Sequence, residues 1–138
     1  AYVSDFPNDT TLGKPGVICL PHLGASTQEA EDNCAIMAVQ QLKDYIENLN
    51  ISNSVNFPSC TLGPRKAQAR IGVLNRNIPK MINKITNIFA DLDINISDMI
   101  NRSKGDYAYT LIDVDSTIDE AEVRRALQFE GIIAVRVV

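Results

Sequence analysis

The sequence predicts an α+β protein: a βαββαβ unit of four antiparallel strands and two helices, preceded by a partial α/β segment of short strands and one long helix. Three observations carry this reading. From Arg70 to Val138, strand-like apolar runs and two stretches of helical spacing follow one another as strand, helix, strand, strand, helix, strand. Upstream, a single long stretch with apolar residues three and four apart sits between short strand-like runs. Between the two regions, FPSCTLGP at 57–64 places two prolines and a glycine among small polar residues, the composition of a linker. The expected organisation is therefore residues 1–57 as one segment, 58–66 as linker and 67–138 as a compact module.

In the first segment, Val3 and Phe6 flank Asp5, and the turn-rich PNDTTLGKPG follows. Val17–Leu20 is a continuous apolar run, expected as a strand buried on both faces of a parallel sheet and ended by Pro21. Ser26 and Glu29 have capping-box spacing and open a helix expected from about Thr27 to Asn48. Its apolar stripe is Ala30, Cys34, Met37, Ala38, Leu42, Tyr45 and Ile46. Ile51–Phe57 alternates as a strand, with Ile51, Val55 and Phe57 on one face. Two short strands and one helix bury too little surface to stand alone.

The second region opens with a strand over Arg70–Leu74. Asn77 as N-cap and Pro79 near the first helical position start a helix whose apolar face is Ile78, Met81, Ile82, Ile85, Ile88 and Phe89. Ile94, Ile96 and Ile100 mark the second strand. Lys104-Gly105-Asp106 turns the chain into a third strand over Tyr107–Val114, closing a hairpin. Thr117 and Glu120 form another capping box, and Ala121, Ala126 and Leu127 face inward along the helix that Gly131 ends. Ile132–Val138 is the last strand. This is the ferredoxin-like order, with both helices on one face of the sheet.

Composition narrows the function. The 138 residues are 45% hydrophobic, enough for a real core, yet no apolar run reaches the length of a membrane helix. AYVSDFPNDTT lacks the basic and apolar regions of a secretory signal. A formal charge of −4, with 13 basic residues scattered along the chain, argues against a nucleic-acid partner. Three widely spaced cysteines and one histidine offer no zinc pattern, so no metal site is expected. Reduced thiols in a cytoplasmic protein are the simplest reading.

The one histidine, His22, lies in the turn of CLPHLGAST, where Pro21 and Gly24 shape the backbone and Ser26 caps the helix. Three stretches around it now matter together: Tyr2–Pro7 (YVSDFP), Leu20–Glu31 (LPHLGASTQEAE) and Asn53–Pro58 (NSVNFP). They resemble D-3-phosphoglycerate dehydrogenases in sequence and in order. Residues 70–138 resemble the ACT domain that ends those enzymes, most closely at Asp93–Ile96 and Gly105–Asp115. The resemblance implies that such a chain is one end of an enzyme that oxidises 3-phosphoglycerate with NAD to begin L-serine biosynthesis. His22 then corresponds to the general acid/base for the substrate hydroxyl. Its glutamate partner and the substrate-binding arginine are expected upstream of residue 1, as is the glycine-rich NAD fingerprint, which this sequence lacks. Asp5, Gly24 and Ala25, with His22, correspond to positions beside the nicotinamide. No dehydrogenase activity is expected of this stretch alone.

For the ACT domain the resemblance implies an amino-acid effector, with L-serine the feedback inhibitor. Asn77 and Asn95 match two ligand asparagines, the second reaching across a subunit interface. Asn75 stands where the family has a histidine, and Lys80 where it has a glycine. Asparagine offers both donors and an acceptor to a zwitterion. A homodimer or tetramer paired through ACT domains is expected. The rival readings are a stand-alone amino-acid-binding ACT module and part of a dehydrogenase for another 2-hydroxy acid.

Overall fold

The computed structural model describes residues 1–138, which divide into two compact units, 1–39 and 40–138. The sequence predicted the division later, at a linker over 58–66.

In the first unit, β1 (Tyr2–Ser4) pairs in parallel with β2 (Val17–Cys19), Tyr2 opposite Val17 and Ser4 opposite Cys19. The parallel pairing agrees with the sequence reading. Burial on both faces does not follow, because the sheet has only these two strands and Ile18 stays half exposed. Helix α1 (Gln28–Asn48) starts one residue later than the proposed serine cap would place it. Thr27, not Ser26, is the cap: its Oγ1 accepts the Ala30 N–H at 3.1 Å. None of residues 1–39 is buried.

The second unit contains β3 (Ala69–Arg76), α2 (Met81–Asp91), β4 (Ile96–Lys104), β5 (Tyr107–Val114), α3 (Glu120–Ala126) and β6 (Ile132–Val137). All pairs are antiparallel, in the order β4-β5-β3-β6, so the ferredoxin-like topology is present as predicted. Strand alternation sorts the side chains. Ala69, Ile71 and Val73 of β3, with Ile112 and Val114 of β5, face Ile85 and Phe89 of α2 and Val123 and Leu127 beside them. Ala121, predicted to face inward, is exposed; Val123 takes that place.

The helix caps also differ. Asp119, not Thr117, caps α3, its Oδ1 accepting the Ala121 and Glu122 N–H groups at 2.9 and 3.2 Å. Asn77 does not cap α2. That place falls to Lys80, at φ 71° with no side-chain cap. Ile78 and Ile82 consequently lie half exposed, while Met81, Ile85 and Phe89 are buried.

The back face of the sheet is covered by what was read as a strand and a linker. Ile51–Phe57 makes only an isolated bridge, Ile51 to Cys60, because Asn53 turns to φ 54°. Leu49 and Cys60 are buried against Tyr109 and Leu111, with Tyr45, Leu62 and Ile100 around them. Arg70, 1% exposed, fixes this cover from the middle of the sheet. Its Nε and Nη2 donate to the two Asp113 oxygens at 2.6 and 2.8 Å. Its Nη1 reaches the carbonyls of Asn48 and Gly63 at 2.9 and 2.7 Å. Beside it the Tyr109 hydroxyl donates to the Leu49 carbonyl at 3.0 Å. The ring fits because residue 72 is glycine: a Cβ there would stand 2.5 Å from the hydroxyl oxygen.

Candidate functional sites

The parallel pairing of β1 and β2 sets the carboxyl ends of both strands side by side, the Leu20 N–H donating to the Ser4 carbonyl at 2.9 Å. Asp5 follows one strand and His22 the other. They meet: His22 Nδ1 lies 3.1 Å from Asp5 Oδ2, and the Phe6 ring packs edge-on against the imidazole at 5.4 Å. The carboxylate thus lies beside Nδ1, and Nε2 is the ring nitrogen away from it. Both side chains are more than half exposed. Asp5, read as a contact for the nicotinamide, thus sits on the histidine that the resemblance gave to a glutamate elsewhere. Gly24 and Ala25 are exposed in the turn before α1. The structure thus brings Asp5, His22, Gly24 and Ala25 to the same end of the two-stranded sheet.

The second candidate site is the corner where β3 runs into α2. Asn75 is 1% exposed; its Nδ2 donates to the Arg76 carbonyl at 2.7 Å, while its Oδ1 is buried without a hydrogen-bond partner. Alternation puts it on the helix-covered face with Ile71 and Val73, at the point where pairing with β6 slips a residue. The start of α2 shares this corner. A Cβ on Gly131 would lie 3.1 Å from Met81 Sδ, and the Gly131 carbonyl accepts the Arg76 N–H. With no side chain capping α2, the N–H groups of Met81, Ile82 and Asn83 have no intrahelical acceptor. Lys80, whose left-handed backbone was not legible in the sequence, sets this geometry. Asn77 is exposed and tied to the hairpin turn, Nδ2 to the Gly105 carbonyl at 3.0 Å and backbone N–H to the Asp106 carbonyl at 2.8 Å. The structure therefore brings Asn75 and Asn77 to one corner.

Asn95 lies elsewhere. It precedes β4, whose first residue pairs with Val114, whereas Asn75 pairs with Ala108. Six residues of strand separate these registers, about 20 Å. Within one chain Asn95 does not join the other two asparagines.

Fold and corner together define a small α+β domain of ferredoxin-like topology with a buried, unpartnered polar atom at one end of its central strand. Residues 69–131 match the ACT domain family, and this part of the chain is an ACT domain. ACT domains are generally amino-acid-binding, oligomerising regulatory modules. Most of the chain is similar to D-3-phosphoglycerate dehydrogenases. The Haemophilus influenzae enzyme is 28% identical over 121 residues, which covers 88% of this chain and 30% of that protein. The Escherichia coli K12 enzyme is 32% identical over 112 residues, covering 81% and 27%. D-3-phosphoglycerate dehydrogenase 2 of Saccharomyces cerevisiae is 31% identical over 114 residues, covering 80% and 24%. The chain spans less than a third of the length of these curated relatives. No helix is long and apolar enough to cross a membrane.

Proposed function

We propose that the chain is the regulatory end of an NAD-dependent dehydrogenase acting on 3-phosphoglycerate, and that its ACT domain binds a small α-amino acid, L-serine first among candidates, between two copies. The observation that carries the sensing role is the orphaned Asn75 Oδ1 beside an uncapped helix start. A buried acceptor without a donor costs on the order of 1–3 kcal/mol, and an ammonium group supplies what it lacks. The free N–H groups at the start of α2 suit the carboxylate of the same zwitterion. Asn77 closes the corner from the hairpin side, and Asn95 comes from a second copy, since in its own chain it stands too far away.

At the other site, His22 takes the proton of the substrate hydroxyl on Nε2, with Asp5 beside Nδ1. NAD bound at Asp5, Gly24 and Ala25 would accept the hydride. The remaining groups for that reaction are assigned to parts of the dehydrogenase outside this sequence.

Calorimetric titration of this chain with L-serine, glycine and L-alanine tests the sensing role. Saturable heat with one of them is expected, weakened at least tenfold in Asn75→Ala; no heat with any of the three overturns it. In a dehydrogenase containing this segment, His22→Asn is expected to lower kcat about 10²–10⁴-fold. An unchanged kcat removes His22 from the reaction.

A further inference from the structure

The turn that leads β3 into α2 is pinned around one buried amide. The Arg76 carbonyl accepts from the Ile78 N–H at 3.0 Å and from Asn75 Nδ2 at 2.7 Å, while Asn75 Oδ1 stays without a partner. Pro79 and Lys80 complete the turn. Lys80 stands at φ 71° and ψ 2°, the conformation of the third residue of a type II turn that has proline in the second. Glycine is the usual occupant of such a position, because a Cβ there is strained. Lysine adds what glycine would not. It sets a cation on a flexible four-carbon stem beside the free N–H groups of Met81, Ile82 and Asn83.

Two other bases border the corner, and both lie over aromatic rings: Arg76 over Tyr107 at 5.1 Å and Lys84 over Phe129 at 5.5 Å. Lys80 is exposed, lies over no ring, caps no helix group and joins no ion pair. The acids beside the corner are Asp106 in the hairpin turn and Glu130 before Gly131, both exposed and likewise in no ion pair. With the positive end of α2 added, three bases against two acids leave this corner cationic in a chain whose formal charge is −4.

The backbone of an α-amino acid uses the helix N–H groups for its carboxylate and Asn75 Oδ1 for its ammonium. A neutral side chain then leaves the Lys80 ammonium unmatched; an acidic one matches it. We infer that Lys80 makes this corner select α-amino acids whose side chain carries an acidic group, carboxylate or phosphate, over neutral ones. The inference rests on the reading of the corner as an amino-acid site, and adds a point of recognition beyond those that L-serine meets.

Calorimetric titration of the chain with L-serine, L-aspartate, L-glutamate and O-phospho-L-serine tests it. At least one of the three acids is expected to bind about fivefold more tightly than L-serine, the gain available from one solvent-exposed ion pair. That preference is expected to vanish at about 1 M sodium chloride, where the screening length falls to about 3 Å. Lys80→Gly removes the charge and relieves the backbone; Lys80→Gln removes the charge and keeps the stem. Both are expected to bind acids and L-serine within about twofold of each other, and Lys80→Arg to keep the preference. Whether a carboxylate or the phosphate gains most identifies the group that Lys80 meets. Acids that bind no more tightly than L-serine overturn the inference and leave the sensing role standing. So does a preference that survives in Lys80→Gly, which would assign it to Arg76 or Lys84, or an equal weakening of all four ligands, which would give Lys80 to the shared α-carboxylate. No heat with any of the four removes the sensing role and the inference together.

Discussion

The contact between Gly72 and Tyr109 gives a prediction whose sign depends on the structure. Gly72 lies inside β3 without a positive φ, so its backbone accepts alanine. In a strand that change alone would be neutral or favourable. The added Cβ, however, stands 2.5 Å from the Tyr109 hydroxyl oxygen, 3.1 Å from Leu49 Cδ1 and 3.2 Å from Tyr109 Cζ. The hydroxyl cannot move away freely, because it is buried and donates to the Leu49 carbonyl. Overpacking of this kind costs about 1–3 kcal/mol, and we expect about 2 for Gly72→Ala after the strand gain. Tyr109→Phe strands the Leu49 carbonyl and is expected to cost about 1.5 kcal/mol. Independent effects would sum to about 3.5 kcal/mol in the double variant. Removing the hydroxyl also removes the closest clash, leaving two contacts that a few tenths of an ångström relieve. The double variant is therefore expected to lose only about 2 kcal/mol, an interaction of about 1.5 kcal/mol in its favour. Urea denaturation followed by far-UV circular dichroism and tyrosine fluorescence measures the cycle. Additivity within about 0.5 kcal/mol would refute the account of why residue 72 is glycine.

Three further outcomes follow from the same side of the sheet and from the effector corner. Arg70→Leu leaves the Asp113 carboxylate and the carbonyls of Asn48 and Gly63 without their donor, and a loss of about 3–5 kcal/mol in urea unfolding is expected; a loss under 1 would mean that water replaces the guanidinium. Lys80→Gly releases a side chain from φ 71° and is expected to raise stability by about 0.5–1 kcal/mol, read as a higher melting temperature. Burial pushes the Cys60 thiol up to about 11 from 9.0, outweighing the lowering by Arg102 and the backbone hydrogen bond at Leu111. The unfolded chain then ionises first, so this contribution is complete below pH 9 and falls away as pH rises toward 11. Wild type minus Cys60→Ala should lose about 1–2 kcal/mol across that window, and a flat difference would refute the assignment.

The helix-covered half of the ACT domain was legible because each element carries its own period. Ile71, Val73, Ile112 and Val114 alternate as strand residues do, and Met81, Ile85 and Phe89 recur every four. Cap positions were less legible, since neighbouring residues compete for one role. Ser26 and Thr27 both suit the start of α1, as Thr117 and Asp119 both suit the start of α3, and only the actual first turn decides. The cover over the back face left no pattern. Residues 49–63 are held by irregular contacts among themselves, such as the Ile51–Cys60 bridge and the Leu62 N–H on Asn50 Oδ1, and by partners far along the chain; Arg70 reads as a surface charge until Asp113, 43 residues later, lies beside it. At the candidate sites, His22 and Asp5 were each visible, but their contact depends on two three-residue strands pairing in parallel. The orphaned oxygen of Asn75 depends on burial, which its amide side chain does not announce.

That cover decides which surfaces of the ACT domain remain for another copy. A four-stranded sheet with helices on one face presents its other face as an apolar layer, and stacking two such faces is one way to dimerise. Here Leu49 and Cys60 already occupy that layer, and the buried Arg70–Asp113 pair draws the Asn48 and Gly63 carbonyls onto it. A second copy reaching the face would have to displace this segment and strand a buried ion pair, at a cost of about 3–5 kcal/mol. The same contacts that bury Leu49 and Cys60 therefore keep this face from serving as a stacking surface.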